Sequence, residues 1–358
     1  MTQTAKTYEN LDIKKLDKSR MEISASIPTE VWEKFRTQAL KNINNDAKMD
    51  GFRPGMIPEN VLIGKVGEMP ILEEMAELAL SQAYMNIIID NKIDAIGKPQ
   101  VQLTKIAKSN PLEFKATTAV VPEVKLPDYK KIAKEGSKKS SPDEEVVNEK
   151  DIEDAVLKIR KSRVSHEGHD HKKMSAEDHE KAIMENLPDL TDDFVKSLGE
   201  FENISDFKGK VGEMLVEEKK NAANEKRRIR IADGIVDATT LELPDVMIES
   251  ELNRMQAQFE GDIERMNVKL DDYLKHAKKT LEEIRAEWKP HAEKKAKLQL
   301  LLNEIARTEK IQPDQKEIEA EVNHIVEHYK EADRERAAVY AETVLTNEKV
   351  FQWLENVK

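Results

Sequence analysis

Arg20-Met21-Glu22-Ile23-Ser24-Ala25-Ser26-Ile27-Pro28 alternates apolar and polar side chains up to its final proline. Met21, Ile23, Ala25 and Ile27 share one face; Arg20, Glu22, Ser24 and Ser26 share the other. A period of two is the pattern of a half-buried strand. Pro28 then suits a first helical turn, where no partner for its missing N–H is needed. Trp32, Phe35, Ala39 and Ile43 continue at helical spacing. A second helix is predicted over 70–90 from Leu72, Met75, Ala79, Ala83 and Ile87. Val101 and Leu103 restart a strand, and 112–120 alternates with Leu112, Phe114, Ala116 and Val120 inward. Strands at both ends with helices between predict an α+β layer domain, its early and late strands paired in one antiparallel sheet.

The rest of the chain differs in composition. Residues 1–121 hold 16 basic and 16 acidic side chains, so the net −12 of the 358-residue chain falls wholly on 122–358. Nine of the thirteen prolines lie at or before Pro142. Charged residues make up 36% and aromatic residues 5%, against about 25% charge in an average globular domain. With no cysteine there is no disulfide framework, thiol nucleophile or Cys-ligated metal site. No apolar run reaches the ~20 residues a membrane helix needs, and Met1 to Asp12 has no apolar leader segment, so a cytoplasmic protein is expected.

Between the two N-terminal helices lies Gly51-Phe52-Arg53-Pro54-Gly55-Met56-Ile57-Pro58. Two glycines and two prolines in eight residues force an irregular surface turn. Its tip carries a ring, a guanidinium and the apolar Met56 and Ile57. Such a pair can stack, grip phosphate in a fork and fill a small apolar pocket. From physics alone the plainer reading stays open, a helix connector whose Phe52 folds back into the core.

This loop resembles the ribosome-docking signature of bacterial trigger factors. The order of its surroundings is similar too: Met21–Pro28, a helix, the loop, a helix running through Gln82-Ala83-Tyr84, then Ile96-Gly97-Lys98-Pro99 and Val121-Pro122-Glu123-Val124-Lys125-Leu126-Pro127-Asp128-Tyr129. Leu187-Pro188-Asp189-Leu190-Thr191-Asp192-Asp193-Phe194 resembles the segment that re-enters the family's C-terminal domain; Leu243–Met255 and Ala296–Ile311 resemble its arm helices. The resemblance implies an α+β ribosome-binding domain followed by a mainly α-helical chaperone domain with arms. It implies ribosome contacts at Gly51, Phe52, Arg53, Pro54, Gly55 and Met56, flanked by Lys48 and Lys65. Family members usually carry basic residues where this chain has Pro54 and Met56, which should weaken the salt-dependent part of docking.

The middle of the chain departs from the family. In trigger factors an FKBP-type prolyl isomerase domain follows a short helix, here read from Ile152, Ala155, Val156 and Ile159. From Lys130 to Asp193, 64 residues in a row, there is no Phe, Tyr or Trp to line an isomerase pocket. Nor is there an alternating series to build its sheet. The expected organisation is a docking domain over 1–121, an extended linker over 122–142, a linker helix with a His-rich loop over 143–187, and a helical substrate-binding domain over 188–358. Four of the eight histidines lie within 166–179, around Ser165-His166-Glu167-Gly168-His169-Asp170-His171. That spacing fits no strong zinc pattern, so a solvated loop is the reading and no metal or other cofactor is expected.

The C-terminal half repeats apolar residues every three or four positions. One helix carries Phe207, Val211, Met214, Leu215, Ala222, Ile229, Ala232 and Ile235; the next carries Val246, Ile248, Leu252, Met255, Phe259, Ile263 and Met266. A third carries Leu281, Ile284, Trp288, His291, Lys295, Leu298, Leu302 and Ile305, and Pro290 should kink or break it. The last two carry Ile318, Val322, Ile325 and Tyr329, then Val344, Phe351, Leu354 and Val357. Met247, Met255, Phe259, Met266 and Trp288 are candidate client contacts, because flexible thioethers and rings adapt to varied partners. Core filling is the equal alternative for each methionine. Asp192-Asp193 and Asp271-Asp272 read as helix starts rather than catalytic pairs, and no phosphate loop, Ser-nucleophile or zinc-protease motif is present.

The resemblance therefore implies an ATP-independent chaperone without isomerase activity. Its expected partners are the ribosome at the exit tunnel, both protein and rRNA, unfolded nascent chains and, off the ribosome, a second copy of itself, with no membrane. A prolyl isomerase, a ribosome-independent holdase of the outer-membrane-protein type and a helical scaffold are the rivals.

Overall fold

The alternation of 20–27 becomes strand β2 (Arg20–Ile27), one of four in an antiparallel sheet ordered β1-β2-β4-β3 in the computed structural model. The structure describes residues 7–138, 146–164, 183–329 and 332–357. The early and late strands pair as expected: β2 runs against β4 (Leu112–Val120), with Ile23 opposite Ala116, Ala25 opposite Phe114 and Ile27 opposite Leu112. Strand β1 (Glu9–Leu16) escaped the sequence reading. It carries four charges in eight residues and only Leu11 and Ile13 turn toward the core, too short a stripe to stand out. β3 spans Ala95–Lys105 and closes the other edge.

Helices cover one face of this sheet. The predicted helix after Pro28 is a short turn, α1 (Thr29–Trp32), a 3-10 turn, then α2 (Arg36–Asp46). Trp32 is fully buried and its indole Nε1 donates to Asn110 O at 3.0 Å. The predicted 70–90 helix is α4 (Glu68–Asp90), preceded by an unforeseen α3 (Glu59–Val66). Gly67 at φ +82° ends one and starts the other, a backbone corner closed to most residues with a Cβ. Ile71, Met75, Ala79, Ala83 and Ile87 of α4 join Ile23, Ile27, Phe114 and Ala116 in one core. Tyr84 satisfies its buried hydroxyl on Thr118 at 2.9 Å.

Past the sheet the described residues form helices and no further strand. The segment read as an extended linker contains α5 (Tyr129–Lys138). The linker helix is α6 (Glu149–Ser162), opened by a capping box between Asn148 and Asp151. Next come α7 (Asp192–Leu198), α8 (Ile204–Asp237), α9 (Asp245–Arg265), α10 (Leu270–Ala277), α11 (Leu281–Glu309), α12 (Gln315–His328) and α13 (Arg334–Glu355). Asp192-Asp193 and Asp271-Asp272 fall in first turns, as read.

Contacts divide the chain into two units that both cross it: Met1–Lys125 with Thr240–Leu301, and Leu126–Thr239 with Leu302–Lys358. In the first, α9 and the start of α11 bury Ile248, Leu252, Ala292, Ala296 and Leu300. In the second, α5 crosses α8 at two glycines. A Cβ on Gly136 would stand 2.8 Å from Ile231, and one on Gly234 would stand 2.7 Å from Ile132. α6 and α7 share a core with α8 through Val156, Val195, Phe207 and Val211, and α12 with α13 through Val322, Ala337 and Ala341.

Several stripes need correction. α11 runs unbroken through Pro290. Ile284, Leu302 and Ile305 are buried as read, but in its middle the buried positions are Ala292 and Ala296, one residue beyond the exposed His291 and Lys295, because small side chains let α9 approach closely. On α8, Met214, Ala222 and Ile229 are exposed, and Ala223, Ile231 and Val236 are buried instead. Tyr329 and Val344 are exposed as well. The His166–His171 loop lies outside the described residues.

Candidate functional site

The loop between α2 and α3 is anchored by one residue. Asn44, in the last turns of α2, donates its side-chain amide to Ile57 O at 2.8 Å and accepts from Ile57 N at 3.1 Å. Its own carbonyl accepts from Gly55 N at 2.9 Å. Ile57 is 3% exposed, so this apolar side chain roots the loop and is not at its tip. Gly55 sits at φ +82°, where a Cβ would also press to 2.8 Å from Asn45 Oδ1. Short backbone bonds from Phe52 N to Met49 O and from Met56 N to Arg53 O fold the tip. Nothing in the motif itself singled out Asn44; the only signal was a polar Asn44-Asn45 pair where the stripe of α2 stops.

The tip faces outward. Phe52 is 40% exposed and Met56 75%; Gly51, Arg53 and Pro54 are exposed too. Phe52 therefore does not fold back into the core. Among the described residues no carboxylate pairs with Arg53 within ion-pair distance. Lys48 and Lys65 on either side are exposed. At the opposite end of α2, Arg36 pairs with Glu68 at 2.8 Å and ties that helix to the start of α4. That hydrogen bond holds the Glu68 carboxyl below the usual range. A ring, a thioether and a free guanidinium on a braced loop suit a surface of mixed phosphate and apolar character.

The second candidate set is divided. Met247, Met255 and Trp288 are half-buried and pack on the α9–α11 core. Phe259 meets Trp288 edge-on at 5.2 Å and Tyr273 of α10 at 5.4 Å. These contacts hold the rings against their own helices. Met266 caps the end of α9 and stands exposed. Among the described residues no three His, Asp or Glu side chains converge on a metal-sized site, and no helix is long and apolar enough to cross a membrane.

A four-stranded α+β module bearing an exposed loop, in a chain whose remaining described elements are helices, defines a mainly helical protein of two compact units. The family model described as bacterial trigger factor protein matches residues 9–156, and the model for the trigger factor C-terminus matches 203–355. The chain belongs to the trigger factor family. Trigger factor from Carboxydothermus hydrogenoformans is 25% identical, covering 91% of this chain and 92% of that protein. The one from Moorella thermoacetica is 24% identical, covering 89% and 87%. A solved structure of the trigger factor chaperone, described for promiscuous substrate recognition in folding and assembly, shares the fold at a TM-score of 0.52 and 18% identity. It covers 97% of this chain and the whole of that one. The two alignments run 395 and 393 residues, longer than the 358 of this chain, so both relatives carry residues with no counterpart here. No isomerase-domain model matches between the two family matches.

Proposed function

We propose that the chain is an ATP-independent, ribosome-associated chaperone that shields nascent polypeptides in the cytoplasm and does not catalyse prolyl isomerisation. Residues 1–121 dock near the exit tunnel through Gly51, Phe52, Arg53, Pro54, Gly55 and Met56, on ribosomal protein and rRNA. Residues 122–187 connect, and 188–358 hold clients, with Met266 the readiest contact among Met247, Met255, Phe259, Met266 and Trp288. Holding is reversible burial of client apolar surface, worth about 25 cal/mol per Å². Off the ribosome a second copy can occupy the same surfaces. No membrane or cofactor takes part.

The observation that carries this reading is the outward Phe52–Arg53 tip on a loop whose base is pinned by Asn44. Co-sedimentation with ribosomes tests it. Wild type is expected in the pellet at physiological salt, and Phe52→Ala/Arg53→Ala in the supernatant. Equal pellet fractions for the two would remove the loop from docking.

A further inference from the structure

The two edges of the N-terminal sheet are finished differently. β1 carries Glu9, Asp12, Lys14 and Lys15, and a register shift between Glu9 and Asp12. Charge and irregularity of this kind keep an edge from pairing with another chain. β3 is irregular at both ends, where Gly97 at φ +71° and Pro99 accompany a register shift between Ile96 and Gln100 and a second shift falls between Leu103 and Lys105, but its middle carries no charge. Gln100-Val101-Gln102-Leu103-Thr104 then runs with no charge, proline or glycine. β3 is the last strand in the sheet order, so among the described residues its outer row of backbone groups has no strand partner.

The side chains on this stretch are placed for a partner. Val101 lies opposite Ala116 and Leu103 opposite Phe114, and directly opposed residues share a face. Ala116 and Phe114 are buried under α4, whereas Val101 and Leu103 remain 39% and 40% exposed. The apolar face of the sheet thus runs on past its helical cover. The charges on and just beyond β3 are Lys98, Lys105 and Lys108; Lys105 pairs with Glu113 at 3.6 Å and Lys108 with Glu68 at 3.5 Å, while no carboxylate among the described residues lies within ion-pair distance of Lys98. A second copy paired through the same edge would bring only more lysines to the seam. A neutral or acid-flanked segment meets the opposite sign.

We infer that β3 is a strand-addition site, where an extended apolar segment of an unfolded polypeptide with neutral or acidic flanks pairs along Gln100–Thr104 and lays alternate side chains on Val101 and Leu103. Backbone bonds supply affinity that does not depend on sequence, and the alternate apolar positions set a mild preference. This use of the edge rests on the chaperone reading, but names a surface apart from the docking loop and the C-terminal helices.

The test uses the full chain and a fluorescein-labelled seven-residue peptide of alternating valine and threonine with a glutamate at each end. Anisotropy is expected to show binding, weakened about tenfold when the peptide is N-methylated at alternate residues, the loss of one or two hydrogen bonds. Val101→Ser/Leu103→Ser is expected to weaken the unmethylated peptide about fivefold, by lost apolar burial. Equal binding of the methylated and unmethylated peptides to wild type overturns the proposal even if the variant fails to fold. So does a wild-type dimer, seen by sedimentation velocity, that the serine variant dissociates and the peptide does not, because the edge then belongs to a second copy. Suppression of client aggregation is measured in parallel. Suppression without peptide binding sinks the edge and leaves the chaperone reading; peptide binding without suppression does the reverse.

Discussion

Asn44 braces the Gly51–Pro58 loop from outside it. Its side chain satisfies both backbone groups of Ile57, and these bonds set where the tip emerges from α2. Asn44→Ala leaves the Ile57 N–H and C=O without those partners, at a cost of about 1–3 kcal/mol. We expect a lower urea midpoint and a smaller ribosome-bound fraction, although Phe52 and Arg53 are untouched. A full pellet with a lowered midpoint would show that the tip keeps its shape without its base. Legibility at this scale followed chemistry. Phe52 and Arg53 stood out because glycine and proline frame them; Asn44 did not, because a long-range bond to residue 57 leaves no local mark. Ile57 was placed at the tip because it lies in the glycine- and proline-rich turn, yet the turn at Gly55 carries it inward. On α9, Met247 and Met255 were legible as apolar positions, but their spacing could not say that Trp288 and the α11 alanines already cover them.

Elements were legible where one periodic face meets one core. β2, β4 and α4 each have such a face. α11 was legible at its ends, where Ile284, Leu302 and Ile305 are buried as read, and misled in its middle, where the seam passes through Ala292 and Ala296, which a hydrophobic pattern overlooks, while His291 and Lys295 happened to keep the spacing of larger residues. α11 also tolerates Pro290, which is exposed and lacks the N–H that would bond one turn back. Pro290→Ala should restore that bond and stabilise the chain by about 1–3 kcal/mol in thermal unfolding. An unchanged or lowered midpoint would mean that the proline shapes the helix for packing. α13 is fastened by charge: Arg228 of α8 grips Glu348 at 2.7 Å and Glu355 at 3.0 Å. Nearby Tyr129 donates to Glu309 at 2.5 Å, with Lys130 on the same carboxylate at 2.8 Å. Arg228 holds Glu348, and Lys130 with Tyr129 holds Glu309, below the usual 4.5. A depressed carboxyl stabilises above its unfolded value and loses that contribution as pH falls through the folded one. Unfolding should therefore become easier below pH 4.5, and less steeply so in Glu348→Gln. Burial, followed by the Glu309 bond and charge, pushes Tyr129 up to about 12 from 10. A raised tyrosine stabilises below its unfolded value and is lost as pH climbs toward the folded one. Between pH 10 and about 12 wild type should lose more stability than Tyr129→Phe, read from urea midpoints at pH 9 and 11.

At the scale of the molecule, the chain returns on itself in a way its linear composition conceals. Composition separates a neutral first third from an acidic remainder, whereas contacts join α9, α10 and most of α11 to the sheet unit. Long-range pairing of helices leaves no signature in local charge or periodicity. What composition did expose is the aromatic-free stretch from Lys130 to Asp193, whose described residues include α5 and α6. α5 and α6 turn their buried residues, Ala133 and Val156, toward α8, and among the described residues no strand lies beyond Val120. Prolyl rotation must cross about 18–20 kcal/mol, and lowering that barrier takes an apolar cavity around the ring. Among the described residues of the stretch, α5 and α6 pack on α8 and line no such cavity. Added in substoichiometric amount to a protein whose refolding is limited by a prolyl bond, this chain should therefore leave the slow rate constant unchanged. It should raise the refolded yield by holding exposed apolar segments out of aggregates. Measurable turnover on a proline tetrapeptide, or a slow phase that accelerates with chaperone concentration, would show that catalysis persists without the missing domain. A higher yield at constant rate is the outcome that a holding mechanism requires.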